Sequence, residues 1–167
     1  TACGNIYFEE GIETILEAAF TGIQSVKYPG TLKYIEASAF AGSDLKIVDI
    51  RFKKNKKQAF DGIMPQKIFI EGDSLIIEDF AFYSHGGITS NANSEIYIGK
   101  GVVSIGNGCF EVYKTRNNFK VDLSDATDLM FIGKNAFMSF CYSPYITLPS
   151  KTSVPNQTKV CLSLLTR

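Results

Sequence analysis

The chain has 167 residues, 45% of them hydrophobic and 20% charged, with Lys+Arg and Asp+Glu balanced at 17 each. That composition is too apolar for a disordered polypeptide, and its balanced charge gives no overall field to draw nucleic acid or an anionic membrane surface. No apolar run approaches the roughly 20 residues that a bilayer-spanning helix needs; Val160-Cys161-Leu162-Ser163-Leu164-Leu165 is the longest suggestive piece.

From the N-terminus, Ile6-Tyr7-Phe8 reads as a short strand and is followed by Ile12, Ile15 and Ala19-Phe20. Val26-Lys27-Tyr28 begins the same series again, turning at Pro29-Gly30 before Leu32, Ile35 and Ala39-Phe40. Val48-Asp49-Ile50 opens a degraded unit, with Lys56-Lys57-Gln58 where the Ile and its neighbours are expected and Ala59-Phe60 after them. Ile68-Phe69-Ile70 leads to Ile77 and Ala81-Phe82, then to a loop over 83–94 rich in Gly, Ser and Asn. Ile96-Tyr97-Ile98 leads to Val102, Ile105 and Cys109-Phe110, and Val121-Asp122-Leu123 to Leu129, Ile132 and Ala136-Phe137. Ile146-Thr147-Leu148 starts one more unit, but no Ala-Phe follows Pro149-Ser150.

In-out-in alternation over a few residues predicts half-buried strands. In the second half of each unit the apolar positions fall at i, i+3, i+7 and i+8, one side of a helical wheel, which predicts one or two turns of α or 3₁₀ helix. A phrase recurring at this interval means a stack of similar units, each too small to bury its own apolar face. Its expected core is Ile15, Phe20, Ile35, Phe40, Phe60, Ile77, Phe82, Ile105, Phe110, Ile132 and Phe137. Residues 1–150 then form a solenoid of about six units, and 151–167 a C-terminal cap or a truncated repeat.

Tyr28-Pro29-Gly30-Thr31-Leu32-Lys33-Tyr34-Ile35-Glu36-Ala37-Ser38-Ala39-Phe40 states the phrase most fully, and Ile105-Gly106 and Ile132-Gly133 supply an Ile-Gly variant. Over about residues 3–150 this resembles the BspA-type leucine-rich repeats of bacterial surface proteins, typified by Bacteroides and treponemal members. The resemblance implies a leucine-rich-repeat-like, right-handed coil of short parallel strands in one sheet, with short α or 3₁₀ segments opposite. It also implies an exported or cell-surface protein without catalysis or cofactor, serving adhesion by binding host or matrix proteins. Thr1-Ala2-Cys3-Gly4 looks like the end of a lipoprotein signal as well, although the repeat register accounts for Cys3 without one. Membrane association is expected only through such an anchor outside the repeats.

Chemistry-bearing residues are sparse. His85 is the only histidine and lies in the 83–94 loop, which excludes a multi-His metal site. Cys3, Cys109, Cys141 and Cys161 lack C-x-x-C spacing. Cys109 replaces a motif Ala and reads as a small buried hydrophobe, while Cys3 and Cys141 precede strands; disulfide pairing among them stays open. Asp122, Asp125 and Asp128 suggest calcium by spacing, but without the Gly and Glu of a helix-loop-helix calcium loop they read as solvated turn residues. The cluster Arg51-Phe52-Lys53-Lys54-Asn55-Lys56-Lys57 offers polyanion contact or, more simply, a solvated loop.

The predicted binding residues are the strand centres. With the flanking residues inward, Tyr7, Lys27, Asp49, Phe69, Tyr97, Asp122 and Thr147 point outward in a ladder of about 4.8 Å steps. Three aromatics there suit a recognition surface for a protein or glycan ligand, against the plainer reading of a ladder that only stabilises the sheet. Two rivals accompany the binding reading: a structural spacer, and a carbohydrate-binding accessory module.

Overall fold

The computed structural model describes residues 3–43, 45, 47–50, 54–55, 60, 66–83, 94–111, 119–138 and 145–149. Each coil contributes one longer and one shorter strand. The longer strands are β1 (Cys3–Tyr7), β3 (Ile23–Lys27), β5 (Ile47–Ile50), β7 (Lys67–Ile70), β9 (Ser94–Ile98), β11 (Phe119–Asp122) and β13 (Tyr145–Thr147). The shorter ones are β2 (Thr14–Ile15), β4 (Tyr34–Ile35), β6 (Lys54–Asn55), β8 (Leu75–Ile77), β10 (Val102–Ile105) and β12 (Phe131–Ile132).

Consecutive strands do not pair; apart from a break between β3 and β5, each pairs in parallel with the strand two places on. The ladders run β1-β3, β13-β11-β9-β7-β5 and β12-β10-β8-β6-β4-β2. This skip of one is the signature of a chain winding as a solenoid, one coil on the next. The register follows the alternation read from the sequence: Val48, Ile68, Ile96, Val121 and Ile146 stand on one line.

Beside the two strand sides runs a line of rings. Phe20, Phe40, Phe60, Phe82, Phe110 and Phe137 stack face to face, from 4.7 Å between centroids at Phe60–Phe82 to 5.7 Å at Phe20–Phe40, with planes within 17°. The backbone locks the same corner, because the Phe N–H of one coil donates to the motif Ala or Cys carbonyl of the next. Examples are Phe20 to Ala39 (3.0 Å), Phe82 to Cys109 (2.8 Å) and Phe110 to Ala136 (2.7 Å). Ile35, Phe40, Phe60, Ile77, Phe82, Ile105, Phe110, Ile132 and Phe137 are buried, as is Ile15, while Phe20 is half-buried. Cys109 is fully buried among them.

The helix expected in the second half of each unit is absent among the described residues. The motif Ile instead sits in a two- to four-residue strand, giving a second parallel ladder: Ile15, Ile35, Asn55, Ile77, Ile105 and Ile132. Three residues past it the backbone turns left-handed in every described copy, at Ala18 (φ 52), Ser38 (φ 54), Phe80 (φ 57), Gly108 (φ 56) and Asn135 (φ 59). A left-handed residue stops a right-handed helix, and it permits a tight turn closed by the next amide, as at Ala39 N–H to Glu36 O (3.3 Å). The i, i+3, i+7, i+8 spacing thus marks successive inward corners of a coil. In the third coil Asn55, and not Lys56-Lys57-Gln58, takes the Ile rung.

The Ile-Gly variant has a steric reason. A Cβ on Gly106 would stand 2.5 Å from the backbone nitrogen of Asp79 in the preceding coil. Gly101 is tighter: its φ is +74 and its Cβ would meet the Gly72 carbonyl oxygen at 1.7 Å.

Candidate binding face

Because Val48, Ile68, Ile96 and Val121 are buried, the pleat turns the residues beside them outward. Asp49, Phe69, Tyr97, Asp122 and Thr147 fall on one line across β5, β7, β9, β11 and β13. Phe69 is 38% exposed, Asp49 and Thr147 are exposed, and Tyr97 and Asp122 are half-buried. Tyr7 (72% exposed) pairs with Lys27 on the separate β1-β3 ladder. The single sheet expected from the sequence is therefore divided, and the seven residues read as strand centres form a pair and a line of five.

Phe69 and Tyr97 make the centre of that line, their rings 6.3 Å apart and tilted by 49°. The Tyr97 hydroxyl donates to Asp125 Oδ2 at 2.9 Å and lies 3.4 Å from Glu71 Oε1. That bond to Asp125 is the main cause that pushes the phenol up to about 12, helped by partial burial and by the charges of Asp125 and Glu71. Asp122 accepts the Ser124 backbone N–H at 3.0 Å, which, with the Ser124 hydroxyl and the charge of Lys120, holds its carboxyl below the ordinary range against the opposing effect of burial. On the adjacent outward column Lys67 Nζ meets Glu95 Oε2 at 3.5 Å.

The three aspartates spaced like calcium ligands have separate tasks. Asp122 caps its own turn, Asp125 holds Tyr97, and Asp128 Oδ2 accepts the Gly101 N–H at 2.9 Å. Among the described residues no group of three or more His, Cys, Asp or Glu is placed to hold a metal ion. Several sequence features lie outside the described residues: His85, most of the 83–94 loop, Cys141, Cys161, the side chain of Cys3, the side chains of the 51–57 cluster, and the 151–167 tail.

Sequence reasoning missed a second outward column. On the short-strand ladder Tyr34, Ile76 and Phe131 (51%) are exposed, with Met130 (70%) beside the last. The readable signal was an apolar residue directly before the motif Ile in Tyr34-Ile35, Ile76-Ile77 and Phe131-Ile132. It passed unnoticed because a helical wheel places that residue on no particular side.

Neither a curated protein nor a solved structure matches the chain. A family model for the BspA type leucine rich repeat region matches residues 1–92 and 77–162, with 6 copies. Repeats of this kind are commonly surface-associated in bacteria, are generally non-catalytic and generally mediate protein interactions. With its parallel coils, its Ile ladder and its Phe stack, the chain belongs to the BspA-type leucine-rich-repeat family.

Proposed function

We propose that this protein is a non-catalytic, exported or surface-attached repeat protein that adheres to host or matrix proteins through the outward side of its longer strands. The observation that carries the reading is the outward Phe69–Tyr97 pair, one ring exposed and the other half-buried, held at the centre of a five-strand ladder whose register fixes both rings. Rigid aromatic anchors lose little conformational entropy on binding and dominate recognition surfaces. Charged neighbours on the same side, Asp49, Asp122, Lys67 and Glu95, supply the polar rim that such surfaces carry. Tyr7 and Lys27, on their own ladder, form a second patch of the same kind.

The test is capture of purified serum and matrix proteins by the immobilised chain, compared with a Phe69→Ala/Tyr97→Ala variant and with Tyr7→Ala. Loss of capture in the double variant, with melting still cooperative, is the expected result. Undiminished capture sinks the reading and leaves a spacer. Capture reversed by free sugar points instead to a carbohydrate-binding module.

A further inference from the structure

Resting on the binding reading above, we propose that the partner seats a cationic side chain, an arginine above all, on the Phe69–Tyr97 rings. Along the line of five the order is Asp49, Phe69, Tyr97, Asp122, so the two rings lie between carboxylates. Across the line, Glu71 and Asp125 converge on a single phenol oxygen, at 3.4 and 2.9 Å. A hydroxyl has one proton to give. Asp125 takes it at the shorter distance, and Glu71 is left with only the longer, weaker contact to the same oxygen.

Two carboxylates drawn to one hydroxyl repel each other, and a cation between them relieves the repulsion. Among the described residues of this five-strand ladder the cations stand on the neighbouring column: Lys67 is held by Glu95, and Lys120 acts on Asp122. A guanidinium suits these rings and carboxylates in chemistry: its face stacks on an aromatic ring and its planar fork donates to carboxylates at the ring edge. A lysine ammonium satisfies the charge without the fork and binds more weakly at such a site. The partner is thus a protein segment with an exposed arginine.

Fluorescence anisotropy tests this with labelled short peptides of alternating Arg and Ser, and the same peptides carrying Lys or neutral citrulline in place of Arg. At physiological salt the Arg peptide is expected to bind best and the citrulline peptide about tenfold or more weakly. Glu71→Gln with Asp125→Asn keeps shape and acceptors, and is expected to lose about tenfold on the Arg peptide, as is Phe69→Ala. Glu17→Gln, a remote exposed carboxylate, controls for general electrostatic attraction and is expected to change nothing. Equal binding of citrulline and arginine peptides, or full binding by the amide pair, overturns the cationic partner. If protein capture then fails in Phe69→Ala/Tyr97→Ala but survives in the amide pair, the face still binds proteins and only the arginine is wrong. If it survives in both, the two readings fall together. Competition by free sugar with none by the Arg peptide overturns it in favour of a glycan.

Discussion

In the first coil Ile12 is 41% exposed, Ala19 is exposed and Phe20 is half-buried, whereas in the fifth the matching Val102, Cys109 and Phe110 show no exposure at all. The two carry the same phrase. They differ in neighbours: the strands of the first coil pair on one side only among the described residues, those of the fifth on both. An Ile-x-x-x-Ala-Phe phrase is therefore half a core, completed by whatever coil lies against it. Stability in such an array resides in the interfaces between coils as much as in the coils.

The comparison can be broken from its strongest point downward. Phe110→Ala is expected to cost about 3–5 kcal/mol, as truncation of a buried ring does, and Phe20→Ala about half as much because half its surface transfer is already lost. Urea titrations giving equal losses would remove the distinction between end and interior. Next come two glycines at the same place in their units. Gly11 (φ +104) has no atom within 4 Å of a built Cβ, so Gly11→Ala carries backbone strain alone, about 1–3 kcal/mol. Gly101→Ala adds a collision with the Gly72 carbonyl and is expected to lower the melting temperature by clearly more.

Asp79 sharpens the picture at one interface, where its Oδ1 accepts the Asn107 backbone N–H at 2.7 Å and Asn107 Oδ1 in turn accepts the Lys134 N–H at 2.8 Å. Asp79→Ala is expected to cost about 1.5–3 kcal/mol, as loss of a bond to a charged acceptor does, and hydrogen exchange at the Asn107 amide should rise with it. Tyr97 gives a pH signature. Its folded phenol ionises near 12 against an ordinary 10.0, so its contribution is complete below pH 10 and disappears as pH rises to 12. Tyr97→Phe is expected to remove that part of the alkaline fall in melting temperature. Lys33→Gln comes last. Its 2.6 Å pair with Glu13 is solvent-exposed, and the loss should stay under about 0.5 kcal/mol in a denaturant titration.

How legible was this in the sequence? Two-residue periodicity found the longer strands and their register, because burying one face leaves a strand little choice, but Tyr7, Lys27, Asp122 and Thr147, read as centres, are the last residues of their strands. The ladder of Phe rings was legible for the same reason: only a stack gives so regular a ring a use. Among the described residues the expected helix gave way to corners, because apolar spacing records only which residues face inward, and a coil with corners and a short amphipathic helix can share one spacing. The deciding residue stands three past the motif Ile. Gly108 and Asn135 tolerate left-handed backbone and hinted at it, but Ala18, Ser38 and Phe80 at the same place concealed it. At the binding face the individual outward residues were legible. The grouping of Glu71 and Asp125 about Tyr97 was not, since it joins three coils that no short-range pattern connects.

Cys109 has a practical consequence. Burial raises its thiol pKa well above the ordinary value, only partly offset by the Phe82 and Ala81 amides, so the reactive thiolate is scarce as well as sheltered. An alkylating reagent reaches that sulfur only when the fifth layer parts from its neighbours. With the other three thiols changed to serine, the speed of iodoacetamide labelling becomes a clock for how often the array unzips from within.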